Sequence, residues 1–98
     1  IRKGVNMKRF ICSLCHKGIL GGMLYLDKES VVYRTNKLTV NEKYRNLVLP
    51  LENIEKVTWK WIIVPIATFF MKDGEVYKMI IFNKGRFQKY YQEYSGNE

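Results

Sequence analysis

Short apolar runs alternate along this chain with clusters of polar turn-forming residues. Met23-Leu24-Tyr25-Leu26 and Val31-Val32-Tyr33 flank the polar Asp27-Lys28-Glu29-Ser30, a pattern that predicts a β-hairpin. A second hairpin follows, with Ala67–Met71 turning through Lys72-Asp73-Gly74-Glu75 into Val76–Phe82. Around these two units the pattern predicts a strand within Lys8–His16, a Gly-containing turn over Lys17–Gly22, and a strand at Ile54–Lys60. A further strand at Leu47–Leu49 is ended by Pro50, which has no N–H for a sheet ladder. The polar stretch Thr35–Asn46 reads as a long loop with room for one brief strand. After Asn83, a good helix N-cap, the period changes. Phe87, Tyr90, Tyr91 and Tyr94 follow at i, i+3, i+4 and i+7, predicting a helix over 84–94 with its aromatic stripe on the sheet. The sum is a mainly β chain of about seven strands closed by one C-terminal helix.

A length of 98 residues suits one domain, spanning 1–98, with a core that needs no disulfide or metal staple. The basic N-terminus IRKGVNMKRF is not followed by a long apolar stretch, so it does not read as a signal peptide. Trp59–Met71, the most apolar segment, is broken by Lys60 and Pro65 and falls short of the about 20 apolar residues that span a bilayer. The sequence begins at Ile1 and not at Met, which is compatible with a piece of a longer protein. Charge changes the picture more. The net charge is +8, and residues 1–49 hold ten Lys and Arg against three Asp and Glu. Such a surplus suits an anionic partner: a nucleic acid, an acidic protein or the inner face of a membrane. The plainer alternative is that the cations only keep a small β domain soluble.

The order of parts resembles the GRAM domain, a branch of the pleckstrin-homology (PH) superfold. The residues that carry the resemblance are Gly21-Gly22-Met23-Leu24-Tyr25-Leu26, Val31–Leu38, Leu49-Pro50-Leu51-Glu52-Asn53-Ile54-Glu55-Lys56-Val57, Lys72-Asp73-Gly74-Glu75-Val76-Tyr77, and Phe82–Tyr91 where the family's helix begins. The stretch before Gly21 and the segment Trp59–Pro65 depart from it. The resemblance is to a small, bacterial-type member. It implies a PH-like barrel of about seven antiparallel strands in two bent sheets, capped by the helix, and no catalytic chemistry. It also implies a binding module for phosphoinositides, proteins or a neighbouring domain. In lipid-binding relatives, basic residues in the loops after strands 1, 3 and 6 surround the open end. By position, those loops offer Lys17, then Lys37, Lys43 and Arg45, then Lys72. They hold no tight Lys-x-Arg pair, so diffuse anion attraction is expected in place of a stereospecific headgroup pocket.

Other constellations in the chain carry weaker signals. Cys12-Ser13-Leu14-Cys15-His16 matches the CxxCH signature of covalent haem attachment, yet it lies in a predicted strand of a chain with one His and no export signal. A strand's period of two sends Cys12 and Cys15 to opposite faces, which also opposes a shared zinc ion or a redox pair. No cofactor and no metal are therefore expected, and the two thiols read as free and reduced. Single-stranded nucleic acid would need a stacking platform such as Tyr25, Tyr33 and Tyr44, but no OB-fold or RNP signature accompanies them. His16 has no Ser or Cys arranged for it to activate, so no enzyme is expected. Trp59-Lys60-Trp61-Ile62-Ile63 leaves two readings open. Either Trp61, Ile62 and Ile63 form an exposed apolar contact tip, or Trp59 and Ile63 fold inward as core. The expectation is a non-catalytic cytoplasmic module, peripheral at the inner membrane face, that contacts an anionic phospholipid surface or a protein.

Overall fold

The structure, a computed structural model, describes residues 7–37 and 41–95. Seven antiparallel strands and two helices succeed one another. They are β1 (Lys8–Cys15), β2 (Ile19–Leu26), β3 (Ser30–Arg34), α1 (Glu42–Arg45), β4 (Asn46–Pro50), β5 (Ile54–Trp61), β6 (Pro65–Met71), β7 (Val76–Ile81) and α2 (Lys84–Ser95), with a short 3-10 turn at Leu51–Asn53 before β5. The two hairpins form where the alternation places them. Asp27 Oδ1 accepts from the backbone N–H of Glu29 (2.8 Å) and Ser30 (2.9 Å), which closes the first. In the second, Asp73 Oδ1 accepts from Glu75 N–H (2.9 Å), and Gly74 takes a φ of 96° that a side chain would resist.

The strands run in the order β4-β3-β2-β1-β7-β6-β5 within one sheet. All seven strands thus belong to one hydrogen-bonded sheet, where two bent sheets were expected. β1 pairs with β2 along Lys8–Cys15 and, on its other edge, with β7 at Cys12, Ser13 and Leu14, so it belongs to both halves. No ladder joins the outer strands β4 and β5 among the described residues, so hydrogen bonding does not close the barrel.

One face of the sheet forms the core. Phe10, Cys12 and Leu14 alternate inward on β1, and Ala67, Phe69 and Met71 do so on β6. Phe87 of α2 completes this core. It meets Phe10 edge-on (ring centroids 5.3 Å), Trp59 (5.9 Å) and Phe69 (6.2 Å), and stacks on Tyr91 at 5.7 Å. Tyr90, Tyr91 and Tyr94 pack around the cluster, as the 3.6-residue period predicts.

Two stretches differ most from the sequence reading, each for a local reason. β2 begins at Ile19, so Gly21 and Gly22 lie in a strand and the turn shrinks to His16–Gly18. Gly22 is needed there for space: a Cβ would stand 2.3 Å from the Arg34 carbonyl oxygen and 2.9 Å from the Tyr33 ring. In the 35–46 segment the described part holds the helical turn α1 and no brief strand; Leu38 of the family-like motif lies outside the described residues. Asn41 starts α1 by accepting from Lys43 N–H at 2.9 Å. Asn83 precedes α2, and its carbonyl accepts from Phe87 N–H (3.1 Å), although its own backbone is left-handed at φ 66°. Asn tolerates that conformation better than most residues.

Candidate functional site

β1 pairs antiparallel with both β2 and β7, so the β6–β7 turn arrives at the same end as the β1–β2 turn, and this topology divides the predicted site residues. The β1–β2 turn, the β3–β4 segment and the β6–β7 turn gather at one end. Two side-chain contacts hold that gathering together. The His16 imidazole stacks on the Tyr44 ring, with centroids 4.1 Å apart and planes 26° from parallel. Lys43 Nζ lies 5.4 Å from the Tyr44 ring and 5.8 Å from the Tyr77 ring. Tyr77 and then Tyr44 raise the Lys43 pKa above the ordinary lysine value, with Glu75 adding to this, so the ammonium stays charged.

Lys17 stands exposed beside His16, with φ 52° in the turn. Arg45 is half-buried, and its Nε is buried with no hydrogen-bond partner. These residues, with Lys43, form the gathered part. Lys37 and Lys72 lie in the same connections but line separate grooves. Lys37 lines a shallow groove with Gly21, Gly22, Met23, Tyr25 and Arg34. Lys72 gives its N–H to the Asn53 carbonyl (2.8 Å) and borders a groove of about 600 Å³ between β5 and α2. The same three connections also carry Glu42, Asp73 and Glu75, so five cations there face three carboxylates.

Trp61, Ile62 and Ile63 occupy the β5–β6 turn, at the other end of β6. Seven residues of strand separate the two turns, ~20 Å at the usual rise. The cationic loops and the apolar tip therefore do not share one flat contact surface. The tip is fully presented: Trp61 is 69% exposed, Ile62 53% and Ile63 87%. Trp59 points inward onto Phe87, as one of the two readings expected, but Ile63 does not join it in the core. A tight turn following Trp61 at its pairing with Pro65 leaves Ile63 no inward path.

The start of α2, which sequence reasoning did not single out, lies near this tip. Ile66 pairs with Ile80, so β7 and the start of α2 arrive at the end of the sheet that holds the tip. Lys84 Nζ sits 5.3 Å over the Trp59 ring. Arg86 lies 4.6 Å over the Phe10 ring and donates from Nη1 to the Arg9 carbonyl (2.9 Å). The sequence signal was available: helix residues 84–92 contain Lys84, Arg86 and Lys89 and no carboxylate.

The cysteines part as the strand period predicts, Cys12 buried and Cys15 half-buried on the other face. Burial pushes both thiols above their usual pKa; at Cys12 the neighbouring Cys15 adds to the shift, while at Cys15 Lys78 works against it. Among the described residues, no group of three or more His, Cys, Asp or Glu side chains is placed to hold a metal ion. The three tyrosines considered for base stacking do not form a platform. Tyr33 is wholly buried, Tyr44 is covered by His16, and Tyr25 lies on the outer sheet face under Arg34.

Neither a protein-family model nor a curated protein matches the sequence. Solved structures do match the backbone. It is similar to the C-terminal domain of an unknown protein from Leishmania infantum, with a TM-score of 0.72 and 5% identity, over 90% of this chain and 81% of that one. It is also similar to the Vps36 N-terminal PH domain, with a TM-score of 0.65 and 18% identity, over 93% of this chain and 80% of that one. The fold is PH-like. Within the described residues of this PH-like chain, no helix is long and apolar enough to cross a membrane.

Proposed function

We propose that this PH-like chain is a non-catalytic binding module that docks on an anionic membrane surface from the cytoplasmic side. One observation carries the reading. Seven described cations, Lys8, Arg34, Lys43, Lys56, Lys84, Arg86 and Lys89, lie over aromatic rings. An aromatic face positions a cation without neutralising it, so the surplus of +8 projects outward as an attractive field. Each cation near an anionic leaflet contributes about 1 kcal/mol. Lys17, Lys37, Lys43, Arg45 and Lys72 at the loop end add to this long-range field, and the GRAM-like motifs support a module of this class. A peptide-binding reading has its own support in the groove between α2 and β5, an edge strand with Trp59, Phe87 and Tyr91 along the groove wall.

Co-sedimentation with vesicles tests the membrane reading. Binding is expected to vesicles containing phosphatidylserine and not to pure phosphatidylcholine, and to fall as salt rises from about 0.05 to about 0.5 M, from weak to strong screening. Absence of binding to anionic vesicles at low salt refutes it and leaves the peptide groove as the better account.

A further inference from the structure

The β5–β6 turn is hard to explain by folding alone. Its three consecutive large apolar side chains, Trp61, Ile62 and Ile63, all face solvent. Ile63 holds a φ of 156°, in the region that favours glycine and that a β-branched residue resists. Beyond the Trp61–Pro65 pair, the turn holds a long bond from Ile62 N–H to the Val64 carbonyl, 3.3 Å. Glycine at position 63 would relieve the backbone and remove an exposed apolar surface. Strain of this kind, kept together with exposed apolar area, points to a contact made outside the molecule.

The surroundings say what that contact is. Lys60 is exposed one residue before Trp61, and Lys84 and Arg86 occupy the first turn of α2, a turn without an acidic residue. Cations at a helix N-terminus work against the helix dipole, so their placement does not serve the helix. The dipole's positive end instead adds to their field. Exposed Phe82 lies beside them at the end of β7, where its N–H meets the carbonyl of exposed Ile11. The result is a protruding apolar tip flanked by positive charge. A narrow convex turn gives a folded protein partner far less than the roughly 800 Å² per side of a stable interface. A bilayer needs no such area: it accepts a small wedge at the headgroup boundary, where Trp is favoured, with cations at phosphate level.

We infer that the β5–β6 end is the face that enters an anionic bilayer. Trp61, Ile62 and Ile63 insert at the headgroup boundary, and Lys60, Lys84 and Arg86 contact lipid phosphates. This rests on the membrane reading above and orients the module with its loop end, Lys17 and Lys43 included, away from the lipid.

The test uses a Trp59→Phe chain, in which Trp61 is the sole tryptophan, with vesicles of phosphatidylcholine and phosphatidylserine doped with brominated phosphatidylcholine. Trp61 fluorescence is expected to shift to the blue and to be quenched by the bromines. The Ile62→Ser/Ile63→Ser variant changes exposed positions only and keeps the far-ultraviolet circular dichroism of the parent. It is expected to partition at least about tenfold more weakly, since each buried isoleucine contributes more than the free energy of a tenfold change. Lys17→Glu/Lys43→Glu is expected to leave the quenching in place. Vesicle binding without quenching of Trp61, or binding undiminished in the double-serine variant, overturns the tip as the inserted face while the membrane reading stands. No binding of the parent chain to anionic vesicles overturns both.

Discussion

Two adjacent glycines in β2 should respond in opposite ways to the same added methyl group. A Cβ on Gly22 would meet the Arg34 carbonyl oxygen at 2.3 Å and the Tyr33 Cε1 and Cζ atoms at 2.9 and 3.0 Å. Ordinary non-bonded contacts lie at roughly 3.5–4.0 Å, so the obstacles must retreat by about 1 Å. Neither can do so freely. The Arg34 carbonyl belongs to a backbone in ladder register with Met23, and the Tyr33 ring is fully buried with its hydroxyl donating to the Leu20 carbonyl. Overpacking of this kind costs about 1–3 kcal/mol, and two fixed obstacles put Gly22→Ala at the upper end. Gly21 has nothing within 4 Å of a built Cβ and no positive φ. Gly21→Ala should therefore gain about 0.4–1 kcal/mol, through reduced freedom of the unfolded chain. Urea unfolding followed by circular dichroism separates the two. With an m-value of about 1–2 kcal/mol/M, the Gly22→Ala midpoint should fall by roughly 1–3 M, while that of Gly21→Ala holds or rises. Equal midpoints for the two variants, or Gly22→Ala within about 0.5 kcal/mol of the parent, would refute the steric argument.

Phe87 joins α2 to both halves of the sheet, so Phe87→Ala should lose about 3–5 kcal/mol in the same assay, and a loss below about 1 kcal/mol would deny it that role. Native protein treated with a thiol reagent should modify Cys15 first and Cys12 only on unfolding; equal rates at both would contradict the burial of Cys12. Because the Cys12 pKa is raised in the folded state, the unfolded thiol releases its proton first as pH climbs past about 8.5. Its contribution is complete below that pH and falls by about 1.4 kcal/mol per pH unit above it, a decline that Cys12→Ala should lack.

Most of the strands were legible because one buried face imposes a period of two, and the helix because Phe87, Tyr90, Tyr91 and Tyr94 keep a period of 3.6. What depended on partners distant in sequence was not legible. Gly21-Gly22 reads as turn chemistry, and it takes the Arg34 carbonyl and the Tyr33 ring to explain a glycine within the strand. The helical turn at Glu42–Arg45 is short, and its signal, Asn41 as cap, sits in a polar segment that suits a loop equally well. His16 and Tyr44 are far apart in sequence, so their stack could not be anticipated. The separation of the cationic loops from the apolar tip was not legible either, since it follows from topology: the turns on either side of β6 point apart. The basic start of α2 was overlooked because its nearness to Trp61 follows from the pairing of Ile66 with Ile80.

The place of β1 between the two halves bears on how the chain folds. Five of the six ladders join strands consecutive in sequence and can zip from their own turns. The β1–β7 ladder alone joins residues from opposite ends of the domain, at Cys12–Ile81, Ser13–Ile80 and Leu14–Met79. Closing it confines most of the chain in one loop before the gain from burying Phe87 against Phe10 is realised. That seam is where the folding barrier should lie: substitutions along it should slow folding, whereas those within either hairpin should mainly hasten unfolding.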